Sequence, residues 1–161
     1  MRSAAFLLAA AILGSVVVAA AQPESDWVAP VNATAHAIET DHVEAIEILR
    51  IPDDVLFRVN VNPERLERWW RYKFVIRDVG IRAQELTAAL KSMTAQPSGT
   101  QLESLEVRWG IVFYSKTSEG HRIVSLYFDR NGRAGAINSL PVSFGAEFFA
   151  RLKKALHLSL E

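Results

Sequence analysis

The chain has 161 residues, half of them apolar and 22% charged, with 18 Lys+Arg against 18 Asp+Glu and a formal charge of zero. That balance excludes an intrinsically disordered chain and argues against a nucleic-acid binder, which carries a basic excess. The absence of cysteine excludes a disulfide framework, a CxxC redox site, a cysteine nucleophile, a cysteine-ligated metal and a lipid-modified cysteine anchor.

Residues 1–21 read MRSAAFLLAAAILGSVVVAAA: one basic residue, Arg2, then an apolar run, then small residues before the polar Gln22-Pro23. This is the three-part pattern of a secretory signal peptide, with cleavage expected after Ala21. The run is Ala-rich, and no basic stop-transfer cluster follows it, so cleavage is expected over retention as an anchor, leaving no integral membrane span. The expected destination is the bacterial periplasm or the medium. Residues 22–40 hold Pro23, Pro30, Asn32 and several alanines without a clear period. They read as a flexible or loosely docked N-terminal arm, with Trp27 available to pin it to the core. Residues 41–161 read as a single domain.

Within that domain, 43–51 (VEAIEILRI) is rich in β-branched residues, and Pro52-Asp53-Asp54 is a turn signal. Val55, Phe57, Val59 and Val61 alternate with Leu56, Arg58, Asn60 and Asn62, a period of two that predicts a strand with one buried face. Asn62-Pro63-Glu64 starts a short helix to about Arg68: Asn caps, Pro suits the first turn, and Glu meets the positive end of the dipole. Trp70, Tyr72, Phe74 and Ile76 then alternate with Arg71, Lys73, Val75 and Arg77, which predicts a strand with aromatics on one face and cations on the other. Gly80 breaks it.

Residues 81–93 predict a helix with Leu86, Leu90 and Met93 on one stripe, and 95–103 read as a polar loop. Residues 105–139 read as a meander. Val107, Trp109, Ile111 and Phe113 line one strand, and Val124, Leu126 and Phe128 line the next. The Asp129–Gly132 turn leads to a shorter strand over 134–138. A turn at Ser139-Leu140-Pro141 and an extended piece over 142–144 follow. The last helix, over 146–157, carries Phe148, Phe149, Leu152, Ala155 and Leu156 as its apolar stripe. About six antiparallel strands covered by two amphipathic helices make an α+β sandwich of two layers.

The sequence holds no G-x-S-x-G, H-E-x-x-H, phosphate loop or G-x-G-x-x-G. No catalytic residue, metal ligand set or cofactor site is assigned. His36 and His42 flank Glu39 and Asp41, but their six-residue gap is not a helical pair, so the segment reads as solvated and acidic. His121 reads as a surface residue and His157 as a partner of a helix C-terminus. Asp53-Asp54 reads as turn chemistry, and Asp129-x-Asn131-Gly132 lacks the later ligands of a calcium loop.

Charge layout is more informative. Six acids (Glu24, Asp26, Glu39, Asp41, Glu44, Glu47) and no Lys or Arg lie between Gln22 and Leu49. Seven bases (Arg58, Arg65, Arg68, Arg71, Lys73, Arg77, Arg82) stand against three acids between Arg58 and Arg82. An acidic strand lying beside a basic one cancels most of this, and uncancelled cations form a face for an anionic partner. Trp69 and Trp70, adjacent on a strand, point to opposite faces, so one of them is partly exposed near Arg68 and Arg71. Exposed Trp beside Arg has the composition of a binding hot spot. The candidate partner-binding residues are therefore Arg68, Trp69, Trp70, Arg71, Lys73 and Arg77.

The runs RWGIVFYSK (108–116) and HRIVSLYFDRNGRAGAINSLPVSF (121–144), followed by an amphipathic helix, resemble small uncharacterised exported proteins of bacteria. The likeness extends weakly to PERLERWWRYKFVIRD (63–78). It implies an envelope or secreted protein and supplies no catalytic residues; its motifs are turn and core residues.

Three function classes follow. The first is a non-catalytic, exported module that binds a protein or an anionic envelope component. The second is a small hydrolase, which requires Asp41, His42, Asp53, Asp54 or His121 to converge in a concave site. The third is a membrane-surface protein using the apolar stripe of the last helix.

Overall fold

The computed structural model describes residues 27–117 and 120–158. The expected export signal and its cleavage point lie outside these residues.

Among the described residues, four α-helices and a seven-stranded antiparallel sheet make an α+β fold. The strands are β1 (Val43–Arg50), β2 (Tyr72–Ile76), β3 (Ala95–Pro97), β4 (Trp109–Ser115), β5 (Arg122–Phe128), β6 (Ala134–Ile137) and β7 (Leu140–Phe144). Their order across the sheet is β2-β1-β4-β5-β6-β7-β3. The C-terminal meander expected from the sequence is β4 to β7. The seventh strand, β3, lies in the stretch read as a polar loop and pairs Gln96 with Ser143.

Helices α1 (Val28–Glu39), α3 (Ala83–Lys91) and α4 (Phe148–Ala155) contribute to the main core on one face of the sheet. Three helices thus stand where two were expected, because residues from Val28 onward are not a loose arm. Val31, Thr34, Ala35 and Ile38 recur at helical spacing and are buried. Pro30 falls in the first turn, where its missing N–H costs no intrahelical bond. The buried Thr34 hydroxyl donates back to the Pro30 carbonyl at 2.8 Å. Trp27 packs against the same core. Beside α4, Phe128, Phe144, Phe148 and Phe149 pack ring on ring, with centroids 4.5 to 5.9 Å apart. The α4 stripe is therefore spent on the core.

The opposite face is covered by α2 (Pro63–Trp69) and its flanking segments, around Leu49, Ile51, Val61, Leu66, Val107 and Tyr127. Asn62 caps α2 as expected, its Oδ1 accepting from Arg65 N at 2.9 Å. The helix sits close because Gly110 lies beneath it: a Cβ there would lie 3.2 Å from Leu66 Cδ2.

The strand expected over 55–61 does not form. Val55 and Phe57 pack partly against the second core and Val61 is buried, which accounts for the alternation. Its backbone bonds are made otherwise: Arg108 donates to the Val55 carbonyl at 2.8 Å, and Val61 N donates to Glu106 Oε2 at 2.8 Å. Two turns follow expectation in kind. Gly132 has φ +71° in the β5–β6 hairpin, and any Cβ there would strike Phe149. The β6–β7 turn falls one residue earlier than expected, at Asn138, which takes φ +55°. Asn tolerates that conformation, and its Oδ1 accepts from Ser125 N at 2.9 Å.

Candidate functional site

The strand β2 lies at one edge of the sheet, paired on one side with β1 through Ile46–Ile76, Ile48–Phe74 and Arg50–Tyr72; among the described residues no strand pairs with its other side. It begins at Tyr72, because Trp69 still belongs to α2 and Trp70 is that helix's C-terminal cap. The two tryptophans are therefore separated by a helix end and not by strand alternation, and both are partly exposed. Trp69 stacks on Phe57 with centroids 5.5 Å apart, and Arg65 lies 5.9 Å from its ring. Trp70 has Lys73 Nζ at 5.9 Å from its ring centroid.

Four consecutive β2 residues bear exposed side chains, and the aromatic face does not enter the core. Fractional exposure is 36% for Trp69, 40% for Trp70, 50% for Tyr72, 51% for Phe74 and 46% for Val75. Tyr72 and Phe74 lie on one face of the strand, and Val75 points to the other. The physical cause is position. Ile48 and Ile46, the β1 neighbours of Phe74 and Ile76, are buried in the main core, whereas one strand further out Phe74 is half exposed.

The cations of the candidate set are mostly matched. Lys73 pairs with Glu47, Arg77 with Glu44 at 3.8 Å, and Arg68 with Glu64 at 2.6 Å. Farther along the acidic stretch, Glu39 meets Lys91 at 2.5 Å and Asp41 meets Lys116 at 2.6 Å. The Lys91 ammonium holds the Glu39 carboxyl below its ordinary range. The acidic strand does lie beside the basic one, and the charge contrast in the sequence is largely internal neutralisation. Arg71 alone of the four cations has no carboxylate partner among the described residues; its N–H donates to the Arg50 carbonyl at 2.9 Å.

Beside β2 is a groove of about 480 Å³, lined by Arg50, Pro52, Asp53, Asp54, Tyr72 and Phe74. Arg50 stands next to Tyr72 on one side and Trp109 on the other, and its guanidinium lies over the Trp109 ring at 4.7 Å. Lys153 Nζ lies over Phe149 at 4.5 Å, and the two rings meet edge to face at 5.8 Å. Burial, and then the nearby Arg50, push the Lys153 amine below its ordinary pKa. Asp53 is tied to Arg130 at 3.2 Å. Tyr72, Phe74, Arg50 and Lys153 are absent from the set drawn from the sequence. The aromatic alternation was visible there, but nothing local says that an apolar face lies at a sheet edge.

On the other face, a polar network ties α2 to the sheet. Tyr127 donates to Glu67, which also accepts two bonds from Arg122 at 2.9 and 3.2 Å. Tyr114 donates to Glu47 at 2.9 Å. Burial, and then the Glu67 carboxylate, push the Tyr127 hydroxyl well above its ordinary pKa. Each of these groups has a partner within the chain, so the network reads as a latch.

The residues required for a hydrolase do not converge. Asp41 and His42 precede β1 near His121, whereas Asp53 and Asp54 follow its far end. No group of three or more His, Asp or Glu able to hold a metal occurs among the described residues. No helix among them is long and apolar enough to cross a membrane. Compared with family models, with curated proteins and with solved structures, the chain matches none.

Proposed function

We propose that this chain is an exported, non-catalytic binding module that captures an extended polypeptide segment along the free edge of β2. One observation carries the reading: an edge strand without proline whose aromatic side chains stand half out of the protein. Proteins normally blunt such edges, because unpaired N–H and C=O groups template the addition of another strand. An edge left open and flanked by Trp69, Trp70, Tyr72 and Phe74 suits strand addition, with main-chain bonds supplying affinity and alternate side-chain sites supplying specificity. Tyr and Trp are also the residues that dominate binding hot spots. Export rests on the signal-like residues 1–21.

The test is capture from envelope extract by the tagged chain from Gln22, run beside a Phe74→Asp variant checked for an unchanged melting temperature. A protein held by the wild type and released by the variant supports the reading. Equal capture by both moves the site elsewhere. Export is tested by fractionating cells that express the full chain; retention of the uncleaved chain in the cytoplasm would contradict it.

A further inference from the structure

We infer that one occupant of the β2 edge is β2 of a second copy of this chain, paired antiparallel about a two-fold axis at Phe74. This names a partner for the edge-docking reading and rests on it.

The strand is complementary to itself in that register. Tyr72 of each copy stands opposite Ile76 of the other, Lys73 opposite Val75, and Phe74 opposite Phe74. One face of the new ladder then carries aromatic–aromatic and aromatic–β-branched pairs, which stabilise antiparallel strands. Tyr72 and Phe74 are half exposed, so these pairs cover apolar surface that a single copy leaves in water. No like charges stand opposite each other within the five residues of the strand. Lys73 is the residue type that blunts an edge. Here Glu47 of its own chain neutralises it, and it faces Val75 of the second copy.

The flanks of the strand favour a second copy over an unrelated segment. Arg71 precedes β2 and Asp78 follows it. Both are exposed, and neither side chain has an ion pair or hydrogen bond among the described residues. Two-fold antiparallel pairing brings the residues before β2 in one copy beside those after β2 in the other. The unmatched cation of each copy thus meets the unmatched carboxylate of the other, once at each end. Arg71 also comes opposite Arg77 of the second copy, a like-charge contact. Arg77 keeps its own Glu44 at 3.8 Å, however, and Asp54, unmatched in the groove beside Tyr72, adds a carboxylate at that end. The exposed Trp70 and Ile81 follow the same rule, one before the strand and one after it. With 18 Lys+Arg against 18 Asp+Glu, two copies approach without net repulsion. Such a contact is isologous and closes as a dimer. It is also small, in the size range of transient interfaces, so it dissociates on dilution and leaves the edge open to another segment.

The experiment is sedimentation equilibrium of the chain from Gln22 between about 1 μM and about 1 mM, beside variants checked for an unchanged melting temperature. The expected result is a monomer–dimer equilibrium with a dissociation constant on the order of 10–100 μM. Phe74→Asp should abolish the dimer. Arg71→Asp should weaken it about tenfold, and the Arg71→Asp, Asp78→Arg double variant should restore it, since both contacts return with their signs exchanged. A cross-link reads the register. The chain has no cysteine, so Phe74→Cys supplies a single thiol. Opposed residues of an antiparallel pair lie about 4.5–5.5 Å apart at Cα, within the span of a disulfide. Phe74→Cys should therefore form a disulfide-linked dimer under mild oxidation, and Tyr72→Cys, four residues out of line with its own copy, should not. A monomer at every concentration, with no Phe74→Cys cross-link, would overturn the second copy as occupant. Capture from envelope extract that Phe74→Asp releases would then still uphold the edge. A dimer that survives Phe74→Asp would place self-association on another face and overturn the inference. Loss of both the dimer and Phe74-dependent capture would overturn the edge reading as well.

Discussion

Phe74 and Phe128 share one face of one sheet, three strands apart, and their surroundings differ completely. Phe128 is fully buried against Phe144, Phe148 and Phe149, whereas Phe74 is half exposed beside Ile48. The same contrast divides the two edges of the sheet. The β3 edge is three residues long and ends in Pro97, which cannot donate to an added strand. The β2 edge is five residues, YKFVI, without proline. Among the described residues, one end of the sheet is thus blunted, and the other ends in an unpaired strand with exposed aromatics. Burial at the first end stabilises the fold, while exposure at the second contributes little to stability.

The contrast predicts a graded series of effects. Phe128→Ala should cost about 3–5 kcal/mol, because it empties a site enclosed on all sides, and chemical denaturation measures it directly. A cost under about 1 kcal/mol would show that α4 does not close this end.

Tyr127→Phe should cost about 1–2 kcal/mol by leaving Glu67 short of a donor beneath α2. The same substitution sharpens the account through pH. The folded-state pKa of Tyr127 is raised above the ordinary value of 10.0, so its contribution is fully present below pH 10 and is lost as pH rises through the folded value. Wild-type stability should therefore fall above pH 10, and the variant should lose less over the same interval. Identical alkaline profiles would remove the latch from the account.

Asn62→Ala should cost about 1 kcal/mol, since the cap on Arg65 N disappears at the start of the helix that leads into β2. Phe74→Ala should change stability by less than about 1 kcal/mol, as a half-exposed edge residue has little packing to lose. A Phe74→Ala cost as large as that of Phe128→Ala would break the comparison and assign β2 to the core.

Much of this fold is legible in the sequence where one local signal has one structural meaning. Alternation through Trp109–Phe113 and Val124–Phe128 marks buried central strands, Asn62-Pro63-Glu64 marks a helix start, and Gly132 marks a hairpin. Reading fails where local chemistry and tertiary placement diverge. Pro30, Asn32 and Thr34 are poor helix formers, and they mask the buried Val31–Ala35–Ile38 stripe of α1. Val55 to Val61 alternates without joining a strand: Arg108 takes the Val55 carbonyl, Glu106 takes the Val61 N–H, and the Val61 carbonyl accepts from Val107 N. The candidate edge is half legible: the sequence singles out Trp69 and Trp70, while Tyr72 and Phe74 belong to a strand face whose exposure depends on strand order. Arg50 and Lys153 lie about a hundred residues apart in sequence, and no local pattern joins them.

The most direct test of the central claim is backbone amide hydrogen exchange across Tyr72–Ile76, with and without the protein captured from envelope extract. Free protein should exchange quickly at the β2 amides that point away from β1, and bound protein should protect them, as a strand added at this edge requires. Protection confined to other elements, with β2 unchanged, would contradict the account.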